Sequence, residues 1–146
     1  MDASELLSGA RVVPVVVLDD VDFAMDGCTH TLVRLAIERP EIPEQFTEGF
    51  RAMLGEVVAS VESMLRAART YFKEPHAVRD HVYKVGFHNN EATALAVTTG
   101  KAIFDSELPL VRKRQLADML SAIRDLGSEA SDIADQLAIH VVKHAL

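Results

Sequence analysis

The chain has 146 residues, 49 % of them hydrophobic, with five Pro, seven Gly, one Cys and no Trp. That is enough chain for one domain with a real core, in a composition that suits helices better than a β-sandwich. The formal charge of -7 argues against a basic nucleic-acid surface, and the lone Cys excludes an internal disulfide. Residues 1–13 read as a flexible lead-in with no export-type leader, and a reducing, cytoplasmic setting fits. No apolar run approaches the ~20 residues of a spanning helix, so the chain is expected not to span a membrane. The stretch RVVPVVVLDD is ambiguous, because its β-branched residues favour a strand while Pro14 suits the first turn of a helix. Downstream, Val21, Met25, Cys28, Leu32 and Leu35 alternate by four and three, which predicts a helix from about Pro14 to about Ile37.

Arg39-Pro40-Glu41-Ile42-Pro43 ends that helix, since a residue before proline avoids the helical region. A second helix opens at Pro43 and carries Phe46, Phe50, Met53, Val57, Val61, Met64, Ala68 and Phe72 as one stripe, running to about Lys73. Pro75 opens a third helix after so short a connection that the two are antiparallel neighbours. The third has Val78, Val82, Val85, Ala92, Ala96 and Ile103 on one side and ends near Phe104. Asp105 and Ser106 supply capping side chains, Pro109 a first-turn proline, and a fourth helix follows with Leu116, Met119, Ile123, Leu126, Ala130, Ile133 and Leu137 on its seam. The expected fold is all-α: an antiparallel bundle of four long helices in one domain over residues 14–146. Long apolar seams on every helix predict a dimer or higher oligomer.

Two acidic stripes stand apart from these seams. Asp19, Asp22, Asp26 and His30 share one face of the first helix, opposite Val21, Met25 and Cys28. Asp118, Asp125, Glu129 and Asp132 recur at helical spacing on the fourth. Carboxylates with one imidazole suit iron or another divalent metal, and a cluster shared between the stripes would be stronger than either alone. The same stripes also read as solvated acidic faces. His140 and His144 have a chelating spacing on a last turn where imidazolium also favours the dipole. Cys28 reads as a small buried hydrophobe, and Asn89 falls on the apolar line of the third helix, where one amide can fix register. Arg112, Lys113 and Arg114 oppose the dipole of the fourth helix and read as a solvated cluster, with an acidic neighbour or a phosphate site as alternatives. No glycine-rich phosphate loop, nucleophile elbow or zinc-site spacing occurs, so the expected function is not enzymatic.

From Ile42 onward, EIPEQF, FHNNEATAL, AIFDSELPLVRK and IRDLGSEASDIADQL follow one another in an order that resembles the C-terminal half of the PhoU-like phosphate-transport-regulator family. LDDVDFAMDGCTHTLVRLAIERPEIP resembles the preceding family helix, so the likeness spans roughly residues 18–146. The resemblance implies a PhoU-like helical bundle in the cytoplasm that regulates phosphate transport by contact with a phosphate permease or a signalling protein. Some relatives hold metal through helical acidic motifs. Here the chain departs from the family: acidic motif positions fall on Asn89, Thr93 and Ser128, and the first helices of the N-terminal half are missing. A metal-binding or storage bundle using its acidic faces is the alternative function, and a structural oligomerisation module a third.

Overall fold

The computed structural model describes the backbone of residues 3–145 and the side chains of residues 16–143. Four helices make up the chain: α1 (Ala3–Glu38), α2 (Glu44–Lys73), α3 (Val78–Phe104) and α4 (Leu110–Ala145), with a 3₁₀ turn at Pro75–Ala77 leading into α3. No strand occurs among the described residues, and the fold is an all-α bundle. The helices alternate in direction. Ser60 meets Val85 and Glu56 meets His88, so α2 and α3 are antiparallel. Gly100 lies beside Leu120 and Gly127 beside Asn89, which sets α4 against α3. Both α2 and α4 are antiparallel to α3, so they run parallel to each other, with Gly127 beside Val57. Val17 clusters with Leu137 while Gly27 sits beside Leu126, which makes α1 antiparallel to α4.

The seams keep a four–three alternation throughout. On α2 it runs Phe46, Phe50, Met53, Val57, Ser60, Met64, Ala67, and on α4 Leu116, Leu120, Ile123, Gly127, Ala130, Ala134, Leu137. A period near 3.5 keeps one face toward a neighbour over many turns, which is how such long helices stay packed side by side. The α2 line differs from the expected one after Val57. Ser60 and Ala67 take its centre, Val61 is half-buried, and Phe72 is 47 % exposed. Apolarity alone passes over Ser60, yet its hydroxyl donates to the Val85 carbonyl at 3.3 Å, and a satisfied serine packs like a small apolar residue. Gly49 is needed where α2 meets α3, because a Cβ there would lie 2.5 Å from Thr99 Oγ1.

The core forms three clusters along the bundle. The first, with Phe46, Phe50, Met53, Ile103, Leu116 and Ile123, closes with α2, α3 and α4 alone. The second joins Met64, Val85, Ala130 and Ile133 with Ala24 of α1. The third joins Ala67, Ala68, Val78 and Leu137 with Val17 of α1. So α2, α3 and α4 are a three-helix body, and α1 lies along it.

α1 differs from expectation in two ways. It begins at Ala3 rather than near Pro14, so RVVPVVVLDD is helix and residues 3–13 share its backbone. Its inward line is Val17, Val21, Ala24, Cys28, Thr31 and Leu35, while Met25 and Leu32 lie on the exposed flank. The middle of that line is small, Ala24, Cys28 and Thr31, with Val17 and Val21 before it and Leu35 after. α1 ends at Arg39, whose φ of 42° is left-handed and whose N–H donates to the Leu35 carbonyl at 2.9 Å. The basic start of α4 meets carbonyls, not acids. Arg112 donates to the Glu41 carbonyl and Lys113 to the Phe104 carbonyl, each at 2.7 Å, satisfying acceptors in the α1–α2 link and at the end of α3.

Candidate functional site

The two acidic stripes do not converge. Asp19, Asp22, Asp26 and His30 are all exposed, because α1 docks through the opposite face. On α4, Asp118, Asp125 and Asp132 are exposed as well, and only Glu129 is drawn toward a neighbour. No three His, Cys, Asp or Glu side chains stand together as a metal-holding group among the described residues. His140 is half-buried, and the side chain of His144 lies outside the described residues.

Glu129 occupies the niche that Gly27 leaves open. A Cβ at position 27 would lie 3.1 Å from Glu129 Oε2, and Glu129 Oε1 is enclosed without a hydrogen-bond partner. Burial, and secondarily the Asp132 carboxylate, hold the Glu129 carboxyl above the usual 4.5. Beside it, burial and then the Glu129 charge raise the Cys28 thiol above 9.0. A thiol held protonated in this way is a poor nucleophile, which agrees with the packing role read from its seam position. Asn89 is half-buried next to Gly127, its Oδ1 enclosed and unpartnered, so the amide does sit on the α3 seam. His88 Nδ1 and Glu56 Oε2, 2.6 Å apart, tie α3 to α2; the carboxylate accepts, so the proton sits on Nδ1.

Two cavities open on the surface of the body. One, of about 210 Å³, runs between α3 and α4 along Ala96, Gly100, Ala117 and Ser121 and ends at Arg124. The other, of about 310 Å³, lies where α2 ends and α3 begins, and is lined by Arg66, Arg69, Thr70, Lys73, Glu74 and His81. Arg66, Arg69 and Lys73 recur at i, i+3 and i+7, so one face of α2 presents all three cations. His81 is half-buried, and its Nδ1 is enclosed with no hydrogen-bond partner. The cation spacing was present in the sequence, but His81 joins it only through the turn between the helices.

α1 carries several large exposed apolar side chains. Phe23, Leu32 and Ile37 are 71 %, 67 % and 76 % exposed, and Leu18 and Val33 are exposed beside them. No helix is long and apolar enough to cross a membrane among the described residues. Comparison with protein-family models, with curated proteins and with solved structures finds no match to this chain.

Proposed function

We propose that this chain is a non-enzymatic, cytoplasmic regulator or accessory protein of phosphate transport that acts by binding other proteins. The observation that supports a contact function is the outer side of α1, where Phe23, Leu32 and Ile37 stand in solvent on a helix held by a narrow seam. Phe23 and Ile37 lie on one flank of α1 and Leu18 and Leu32 on the other, so the helix offers large apolar side chains to partners on two sides. The transport assignment draws on the PhoU-like phrases from EIPEQF to IRDLGSEASDIADQL. In this reading the chain associates with itself and with a phosphate permease or signalling partner.

The test is affinity capture of the tagged chain from phosphate-starved and phosphate-replete cells, beside a Phe23→Asp/Ile37→Asp variant. A permease or signalling protein captured by the parent chain and lost with the variant supports the reading. Capture of neither, together with unchanged phosphate uptake when the gene is deleted, overturns it. Sedimentation at micromolar concentration tests the self-association: a species larger than a monomer is expected, and a clean monomer removes that part.

A further inference from the structure

We propose that the cleft between the end of α2 and the start of α3 is a binding site for a small phosphate-type oxyanion. Its wall holds three cations, Arg66, Arg69 and Lys73, against a single carboxylate, Glu74. Two positive charges are left uncompensated, which matches a phosphate group in its doubly ionised form. The chain as a whole is acidic, with a formal charge of -7, so this local excess runs against its own background.

Among the described residues three arginines are paired, Arg34 with Glu38, Arg51 with Glu48 and Arg124 with Asp125, while Arg39, Arg79, Arg112 and Arg114 are not, but those four stand apart from one another or at the start of α4 rather than around one cavity. Arg66, Arg69 and Lys73 enter no ion pair among the described residues, although Glu62 stands one turn before Arg66. Cations near a helix C-terminus do complement its dipole, and Lys73 has that role in the last turn of α2. The dipole does not explain Arg66, two turns back, or His81 on a different helix facing the same cavity.

His81 sharpens the chemistry. The His81 ring lines the cavity, its Nδ1 enclosed and unpartnered, and either tautomer of the ring carries one N–H donor. Thr70 adds a hydroxyl donor, so every polar group on the wall except Glu74 can donate to an oxyanion. The cavity, about 310 Å³, is at the small end of ligand pockets, which suits inorganic phosphate or a small phosphorylated compound.

The test uses the full chain, titrated separately with inorganic phosphate, with glycerol 3-phosphate and with phosphatidylglycerol vesicles. Heat is followed by calorimetry and the His81 ring resonances by NMR. Saturable binding that shifts the His81 resonances is expected, and Arg66→Ala/Arg69→Ala should weaken it by about tenfold or more, as charge-assisted hydrogen bonds are lost. These arginines are exposed, so the helical spectrum and melting temperature should not move. His81→Phe, which removes the donor and keeps a ring, should weaken binding as well. A response confined to vesicles and lost with the same substitutions keeps the phosphate chemistry and assigns its source to a lipid headgroup. Absence of saturable binding up to millimolar ligand, or equal affinity in the parent and the double-arginine variant, overturns the proposal. The site stands independently of the transport reading, since capture by α1 and titration of this cleft can each fail without the other.

Discussion

The three-helix body and α1 use the same four–three alternation to opposite effect. In the body the line is filled by Met53, Met64, Ile103, Leu116 and Leu137, which are fully buried. In α1 the inward line has Val17, Val21 and Leu35 toward its ends but Ala24, Cys28 and Thr31 in its middle, and the large residues Phe23, Leu32 and Ile37 are left outside. Alternation therefore says which side of a helix faces a neighbour. The volume placed on that side says how much the contact is worth. A helix docked largely through small side chains completes the second and third clusters, while the first closes without it.

That contrast can be tested by truncation. Leu116→Ala should destabilise the fold by about 2–5 kcal/mol in denaturant unfolding, because the cavity it leaves is fully enclosed. Leu32→Ala should leave stability within about 0.5 kcal/mol in the isolated chain. A large cost at Leu32 would show that α1's outer side is covered in solution, and the cost would then fall on dilution.

Glycines sharpen the same comparison at a smaller scale. Gly49→Ala should cost about 1–3 kcal/mol, since the new methyl group runs into Thr99 where α2 and α3 touch. Gly55→Ala, on the same helix with open space around it, should instead stabilise by up to ~1 kcal/mol through helix propensity. At the junction of the two regions, Arg39→Gly should stabilise by about 1 kcal/mol by relieving a side chain held at φ 42°. Thermal melting of the three variants checks all of these signs.

The smallest effect expected is one of pH. Glu129 is held above its unfolded value near 4.5, so the folded chain binds its proton more tightly than the unfolded chain does. The ionised carboxylate therefore weakens the fold at neutral pH. The penalty fades as pH falls through the raised value and is gone below about 4.5. The difference in melting temperature between Glu129→Gln and the parent should favour the variant at neutral pH and shrink on acidification. A difference that is constant with pH would place Glu129 in solvent and α1 off α4.

Periodicity was a sound guide to the body because its buried residues are large. Phe46, Phe50, Met53, Leu116 and Ile123 announce their faces, and the breaks at Arg39–Pro43, Glu74–Pro75 and Asp105–Pro109 fall where proline and capping chemistry put them. On α1 the same method chose Met25 and Leu32 for the seam, because size and burial part company there. The helix start was placed late for a local reason: Pro14 suits a first turn, and the valines before it favour a strand, so the turns from Ala3 to Val13 carried no helix signal. The acidic stripes were legible as stripes. Whether two stripes meet depends on which face of α1 turns inward, and that is settled by Gly27 and Ala24 rather than by the acids. The basic cleft was only half legible, since Arg66, Arg69 and Lys73 declare a face but His81 comes from the next helix.

The position of Cys28 gives the molecule a built-in reporter. It is the only thiol in the chain, and it lies half-buried in the α1–α4 contact, beside Glu129. Half-burial and a raised thiol pKa should slow attachment of a thiol-reactive dye, and lifting of α1 should speed it, so the labelling rate of the unaltered protein responds to those openings. The same reaction run with phosphate in the cleft, or with a captured partner present, would show whether an event at one end of the bundle is felt by its outermost helix.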